Sequence, residues 1–260
     1  MSSNNGYNKM EQMITLASRA LEDNSTVVVG TGAPCAAAML SQWTSAPNLI
    51  IMFEAGGIGP QLPTMPISVG DSRTFYKGIQ STSMAEIMEY CQMGMVDYTF
   101  LGGAQIDKYG NLNSTIIGDN FYKPKVRLPG SGGANDLASL AWNTLVMTPQ
   151  DTKRFVEDLD FLTTPGYLTG KGKREEAGLP KGSGPFKVIT DLCVMGYNNE
   201  EKRMQVESVH PGVTEKDIQE NTGFELLWND EYKESEPPTK EELELLRNKV
   251  DPYGYIIGRG

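Results

Sequence analysis

The sequence predicts an α/β fold with a mainly parallel sheet and helices on both faces. Short segments that are apolar throughout alternate with segments of helical periodicity, as in a sheet that helices cover. Glycines follow several of the apolar segments, at the strand ends where sheets of this kind bind their ligands. Both observations place the expected functional site at the carboxyl ends of the strands.

The first third of the chain predicts two helices and two strands in alternation. Apolar residues recur at helical spacing over residues 8–23, and the run Thr26–Val29 that follows is typical of a buried strand. An alanine-rich segment from Cys35 to Trp43 is suited to a helix that Pro34 opens. Leu49–Phe53 is apolar throughout and is bounded by turn residues, which is typical of a central strand.

The same alternation continues in the rest of the chain. A helix is predicted over Met84–Met93, and strands are predicted over Tyr98–Leu101, Thr144–Met147 and Phe186–Thr190. The glycine- and lysine-rich segment 166–184 is predicted to be a long loop inside one domain. We therefore expect a single domain over residues 1–260.

The charge of the chain disfavours polyanionic partners. Its 33 acidic and 23 basic residues give a formal net charge of -10, which repels nucleic acid and anionic lipid. The amino terminus lacks the basic start and apolar core of a signal peptide, and the three cysteines are too far apart for a CxxC motif. We expect a cytoplasmic protein with no metal ion and no membrane or nucleic-acid partner.

Two common active-site patterns are disfavoured. Gly30-Thr31-Gly32 follows a strand, but the third glycine of a dinucleotide-binding fingerprint would fall at Cys35. His210 is the only histidine, which leaves histidine metal sites and Ser-His-Asp catalysis little to draw on. A nucleophile or base is then to be sought among carboxylates, lysines and cysteines.

Glu54 is the candidate nucleophile. It directly follows the apolar run Leu49–Phe53 and precedes Ala55-Gly56-Gly57, so a charge stands at the end of a central strand beside a backbone with few side chains. Proteins accept the cost of such a carboxylate mainly at functional sites or in ion pairs. From composition alone, an ion pair with an arginine such as Arg73 is an equally open alternative.

Two further glycine clusters complete the candidate site. One runs from Gly102 to Asn113, and the other, Gly130–Asp136, leads into a helix start. Glycines let backbone N–H groups approach a ligand and a helix start favours negative charge, so both clusters fit an oxyanion hole. Tight turns without any ligand are the alternative for either cluster alone. The predicted oxyanion or substrate-binding residues are Gly30, Gly32, Gln105, Gly132, Gly133 and Ala134.

At these motifs the sequence resembles the family I CoA-transferases, and within them the beta subunits of the glutaconate CoA-transferase type. The resemblance covers nearly the whole chain, and it rests on the order of the motifs rather than on any one glycine cluster. The motifs are residues 27–32, the Glu54 segment, and residues 102–113, 130–135, 164–166, 210–214 and 220–224.

The resemblance implies a fold shared with sugar-phosphate isomerases and an alpha subunit that forms the active site together with this chain. Glu54 aligns with the catalytic glutamate of the family, although Phe53-Glu54-Ala55-Gly56 stands where many relatives have Ser-Glu-Asn-Gly. The implied reaction is ping-pong transfer of CoA between carboxylic acids through a glutamyl-CoA thioester on Glu54, with coenzyme A as substrate and no other cofactor. The alternatives are a CoA-ester hydrolase or decarboxylase of the same fold, or a non-catalytic subunit that completes the alpha subunit's site.

Overall fold

The structure, a computed structural model, describes residues 6–258. Contacts between residues divide it into two compact units. Unit 1 contains the chain up to Phe100 and again from Pro237 onward, and unit 2 contains Leu101–Glu236. The single domain over residues 1–260 stays a prediction.

The helices and strands of the described residues follow one another in the alternation expected of an α/β protein. The helices are α1 (Lys9–Arg19), α2 (Ala33–Trp43), α3 (Met84–Gln92), α4 (Ala134–Leu140), α5 (Lys173–Glu176), α6 (Glu215–Glu220) and α7 (Lys240–Leu245). The strands are β1 (Thr26–Val29), β2 (Ile50–Phe53), β3 (Gly57–Ile58), β4 (Gln80–Ser81), β5 (Tyr98–Leu101), β6 (Gln105–Ile106), β7 (Leu112–Asn113), β8 (Ile116–Ile117), β9 (Val126–Arg127), β10 (Asn143–Met147), β11 (Gly184–Ile189), β12 (Cys193–Tyr197), β13 (Met204–Val209) and β14 (Leu227–Glu234).

Unit 1 is built on parallel strands. Strand β1 lies between β2 and β5 and runs parallel to both, whereas β3 and β4 extend the sheet beyond β2 in antiparallel order. The apolar residues that predict β1 and β2 are buried in the core. Helix α1 begins at Asn8, where Asn8 and Glu11 exchange side chain-to-backbone hydrogen bonds in a capping box.

Unit 2 combines parallel and antiparallel pairing. Strands β10 and β11 are parallel, β11, β12 and β13 are antiparallel neighbours, and β14 is parallel to β13. The pairs β6–β7 and β8–β9 form two small hairpin sheets. Both small sheets belong to the glycine-containing segment between residues 101 and 130, and single bridges from Ile106 to Phe155 and from Leu112 to Thr164 join the β6–β7 sheet to the segment that follows.

The predicted α/β fold class is confirmed. Strands β1 and β5 have the predicted bounds, and every other predicted helix and strand is present within a few residues. The predicted loop 166–184 contains only the four-residue helix α5. The sequence did not predict β12–β14; β12 and β13 mix buried with half-buried residues, and β14 is largely exposed. No helix among the described residues is long and apolar enough to span a membrane.

Candidate active site

Glu54 lies at the carboxyl end of β2, next to the end of β1. Strands β1 and β2 are parallel and pair Val29 with Phe53, so Gly30 and Glu54 take the following positions at the same edge of the sheet. Phe53 is 1% exposed, whereas Glu54 is partly exposed. Glu54 is therefore the first residue after β2 whose side chain is accessible to solvent or to a ligand.

The glycines after Glu54 are required by packing. A Cβ on Gly56, whose φ is +113°, would lie 2.0 Å from the carbonyl oxygen of Thr82, and a Cβ on Gly57 would lie 1.9 Å from that of Thr74. Both distances are far inside van der Waals contact, so only glycine fits either position. The turn is closed by hydrogen bonds from Gly56 N–H to Phe53 and from Thr82 N–H to Gly56. This hairpin thus fixes the backbone that carries Glu54.

The ion-pair alternative for Glu54 is not observed. Arg73 donates from Nε to both carboxylate oxygens of Asp71, at 3.0 Å each, and from Nη1 to the hydroxyl of Thr64. The Arg73 side chain holds the pKa of Asp71 well below its usual range. Within residues 6–258 the Glu54 carboxylate forms neither a hydrogen bond nor an ion pair. Its oxygens are therefore open to a ligand.

The turn from β1 into α2 faces the same edge. A Cβ on Gly30 would have no atom within 4 Å, and Gly32 is the N-cap of α2 with φ +96°. No side chain caps the first turn of α2, so its N–H groups have no side-chain acceptor. Cys35, in that first turn, is fully buried, and burial raises the pKa of its thiol to about 12. A protonated, inaccessible thiol does not compete with Glu54 as nucleophile.

In unit 2 the cluster Gly130–Asp136 presents backbone N–H groups that donate no hydrogen bond within residues 6–258, among them those of two predicted binding residues. In the described part of the chain the N–H groups of Gly132 and Gly133 donate no hydrogen bond. The N–H of Ala134, by contrast, donates to the carbonyl of Ser131 at 3.0 Å and closes the turn before α4. Of the three predicted oxyanion donors in this cluster, only the two glycine N–H groups are free to bind a ligand.

Gln105 is held inside unit 2. Its side chain is 6% exposed; its carbonyl oxygen accepts from Asn113 Nδ2 at 2.7 Å and from the Asp160 N–H at 3.0 Å. Its amide group donates to the Asp160 carboxylate at 3.2 Å. These bonds join the segments around residues 105, 113 and 160. The predicted substrate contact of Gln105 stays a prediction, and the geometry favours a part in holding the loop.

Arg174 is a residue near the glycine cluster that sequence reasoning missed. Its side chain is 1% exposed and donates five hydrogen bonds, four of them to backbone carbonyl oxygens. Two of these carbonyls, Ala138 and Ser139, belong to the carboxyl-terminal part of α4. Desolvation lowers the pKa of Arg174 to about 10. The guanidinium thus anchors the helix that follows Gly133, and no local sequence signal indicates it because the acceptors are distant in the chain.

His210 has a structural position. It is 6% exposed, Nε2 lies 2.9 Å from the carbonyl oxygen of Thr190, and Nδ1 lies 2.9 Å from Ser235 Oγ. Since a carbonyl only accepts, Nε2 carries a proton, and in the neutral ring Nδ1 then accepts from the Ser235 hydroxyl. Residues 6–258 contain no group of three or more His, Cys, Asp or Glu side chains arranged to hold a metal ion.

A carboxylate whose oxygens are unpaired and backbone N–H groups at glycine-rich turns are groups that covalent catalysis with an oxyanion intermediate can use. The comparison with known proteins narrows this class of chemistry. The sequence model of the coenzyme A transferase family matches residues 10–221, and the chain belongs to this family.

Two relatives that are CoA-transferase subunits match over nearly their full length. The chain is 40% identical over 242 residues to one of the subunits of 3-oxoadipate CoA-transferase from Pseudomonas knackmussii, covering 93% of this chain and 92% of the relative. It is 37% identical over 254 residues to one of the subunits of glutaconate CoA-transferase from Acidaminococcus fermentans, covering 95% and 94%. The crystal structure of the Acidaminococcus fermentans glutaconate CoA-transferase superimposes with a TM-score of 0.92 at 33% identity, covering 98% of both chains. The predicted family is confirmed.

Proposed function

We propose that this chain is the beta subunit of an acyl-CoA:carboxylate CoA-transferase that works by a ping-pong mechanism through a glutamyl-CoA thioester on Glu54. The observation that carries the proposal is the position of the Glu54 carboxylate, which is partly exposed and unpaired in the described structure at the end of a central strand. The family membership supplies the reaction class, and the open carboxylate supplies the nucleophile.

The chemistry needs one exchange at the carbonyl of the acyl-CoA thioester and a second at the Glu54 carbonyl. The carboxylate attacks the thioester carbonyl, and the tetrahedral oxyanion collapses to an acyl-glutamyl anhydride with release of the CoA thiolate. The thiolate then attacks the glutamyl carbonyl, which releases the acyl group as a free carboxylate and leaves CoA on Glu54. A second carboxylic acid reverses both steps and departs as the new acyl-CoA.

Each step passes through an oxyanion that backbone N–H groups stabilise. In unit 1, the β1–α2 turn with Gly30 and Gly32 lies at the same sheet edge as Glu54 and opens into the first turn of α2, which has no side-chain cap. In unit 2, the N–H groups of Gly132 and Gly133 donate no hydrogen bond among the described residues and are available as donors. Removal of one oxyanion donor typically lowers kcat by about 100- to 1000-fold. We retain all four glycines as candidate binding residues.

The relatives support a partner and a substrate class. Both are named as a single subunit of a transferase, so we propose that an alpha subunit completes the enzyme. Both names refer to dicarboxylic acids, so we propose an acyl-CoA of a dicarboxylic acid as substrate, with no cofactor other than coenzyme A. The three cysteines are all free, which supports a reducing cytoplasm.

A trapping experiment tests the nucleophile. The chain is reconstituted with its alpha subunit, loaded with glutaryl-CoA and treated with borohydride, which reduces a glutamyl-CoA thioester to an alcohol. We expect a mass change confined to the peptide that contains Glu54. Glu54→Gln should abolish both the mass change and CoA transfer to labelled acetate, because an amide does not act as the carboxylate nucleophile.

Glu89→Gln is the matched control. Glu89 is an exposed glutamate of α3 in the same unit, so its substitution should leave transfer and labelling unchanged. Label on any other peptide, or native transfer by Glu54→Gln, would refute the assignment of the nucleophile. Free CoA without label in acetyl-CoA would indicate the hydrolase alternative.

A further inference from the structure

The carboxyl-terminal turn of unit 1 is fixed by a buried carboxylate. Asp251 is 2% exposed, and its side chain accepts from the N–H groups of Tyr255 at 2.9 Å, Ile256 at 2.7 Å and Ile257 at 3.1 Å. The carbonyl of Ile257 accepts from the side chain of Asn8, the N-cap of α1. The backbone of residues 251–257 is therefore held in one conformation by charge-assisted bonds and by α1.

This turn places Ile256 against the β1–α2 turn. A Cβ on Gly32 would lie 3.9 Å from Cδ1 of Ile256, which is ordinary van der Waals contact, whereas a Cβ on Gly30 would meet nothing within 4 Å. Gly30 is the neighbour of Glu54 at the sheet edge. The space next to Gly30 is therefore open, whereas the space next to Gly32 is bounded by the apolar side chain of Ile256.

We propose that Ile256 is a specificity-determining residue that limits the width of the acyl group carried by the CoA thioester. The inference rests on the proposed function, because it places the acyl group over the glycine turn beside Glu54. Ile256 is partly exposed, so one face of its side chain is available for contact with a ligand. Its branched side chain has few accessible rotamers, and the pinned backbone prevents it from moving aside, so it acts as a wall.

If Ile256 limits the width of the acyl group, the enzyme should have a lower kcat/KM for an acyl-CoA with a methyl branch than for the unbranched acyl-CoA. A pocket distinguishes single methyl groups by about tenfold or more when its walls are rigid. The test compares kcat/KM for two matched pairs, glutaryl-CoA against 3-methylglutaryl-CoA and butyryl-CoA against 3-methylbutyryl-CoA, with acetate as acceptor. The yield of the reduced Glu54 peptide is measured with each substrate.

Truncation of the wall should relax this preference. With Ile256→Ala, in the enzyme reconstituted with its alpha subunit, we expect kcat/KM for the branched member of each pair to rise at least about tenfold relative to the unbranched member. Ile256→Val removes a single methyl group and should give a smaller change in the same direction. The valine variant keeps the test decisive if the alanine variant does not fold.

Ile79→Ala is the matched control. Ile79 is an isoleucine of unit 1 that is 74% exposed and packs on Gly59, whose N–H bonds to Ile51 in β2, away from the carboxyl end of that strand. Its substitution should leave the branched-to-unbranched ratio unchanged. A ratio that stays within twofold of the native value in both Ile256 variants, with Glu54 still labelled, overturns the proposal and leaves the proposed function standing. Absence of label on Glu54 in the native enzyme refutes the proposed function, and this inference falls with it.

Discussion

Substitution of Arg174 by methionine should destabilise unit 2 by about 4 kcal/mol. The guanidinium donates to the carbonyl oxygens of Pro165, Gly166, Ala138 and Ser139 and to the hydroxyl of Ser183, at distances of 2.6 to 3.2 Å. Hydrogen bonds from a charged donor contribute about 1.5 kcal/mol each, and methionine supplies none.

Part of that loss is recovered, because the buried charge is itself unfavourable. The pKa of Arg174 falls from its usual 12.5 to about 10, which corresponds to about 3 kcal/mol of desolvation that the neutral side chain avoids. The energy of the five lost hydrogen bonds minus the desolvation energy that methionine avoids gives a net loss of about 4 kcal/mol. Arg174→Lys keeps the charge with fewer donors, so its loss should also be large.

Thermal unfolding of the chain, followed by circular dichroism, measures the effect. A loss of about 4 kcal/mol should lower Tm by about 10 °C in a protein of this size. Lys173→Met is the control, since it removes a cation from the same helix α5 whose partner, Glu176, is exposed. A Tm for Arg174→Met within 2 °C of the native value, or an equal loss in Lys173→Met, would refute the reasoning.

Three further predictions concern the candidate site and its support. Gly56→Ala should lower the free energy of unfolding by several kcal/mol, measured in urea, because a Cβ would lie 2.0 Å from the Thr82 carbonyl oxygen. Gly30→Ala is the control: a Cβ on Gly30 would meet open space, so the free energy of unfolding should not change. Gly133→Pro removes an N–H group that donates no hydrogen bond among the described residues, and the φ of -79° at this position is one that proline adopts. We expect kcat to fall by about 100-fold in this variant. Gly133→Ala keeps the N–H group and should retain activity. Asp71→Asn should lower the free energy of unfolding at pH 7 by about 1 to 2 kcal/mol, because the folded-state pKa of Asp71 lies below its unfolded value of 3.8. That contribution is complete above pH 3.8 and is lost as the pH falls toward the folded pKa, so unfolding curves of the two proteins should converge in acid.

The sequence predicted several elements from local signals. Strand β1 and helix α2 have the predicted positions because a run of four β-branched residues favours a strand and an alanine-rich segment favours a helix. The antiparallel strands β12 and β13 were missed although β12 is largely apolar and β13 begins with an alternation of buried and half-buried residues, both of which are local strand signals. Their order in the sheet depends on pairing between distant segments, which no single window of sequence contains.

The candidate site was predictable only in part for the same reason. Glu54 could be located because a charge directly after an apolar strand is a local anomaly. The selection among the donors of the cluster at 130–136 required coordinates, since the bond from Ala134 N–H to Ser131 distinguishes a turn donor from a free one. Ile256 lies more than 200 residues from Glu54 in sequence and carries no motif, so only its position in the folded chain, 3.9 Å from where a Cβ on Gly32 would lie, identifies it.

The choice between Glu54 and Cys35 as nucleophile follows from burial. Both residues lie near the carboxyl ends of β1 and β2, and a first-turn position on a helix ordinarily lowers the pKa of a thiol. Here complete burial outweighs the helix and raises the pKa of Cys35 to about 12, so the thiol stays protonated at pH 7 and is out of reach of a substrate. Cys35→Ser should therefore leave transfer and the labelling of Glu54 unchanged, apart from the cost of a hydroxyl in an apolar core. The packing of Gly56 and Gly57 also supports Glu54 as the nucleophile. These glycines pack against Thr82 and Thr74 and so fix the backbone next to Glu54, while the carboxylate oxygens remain unpaired in the described part of the chain.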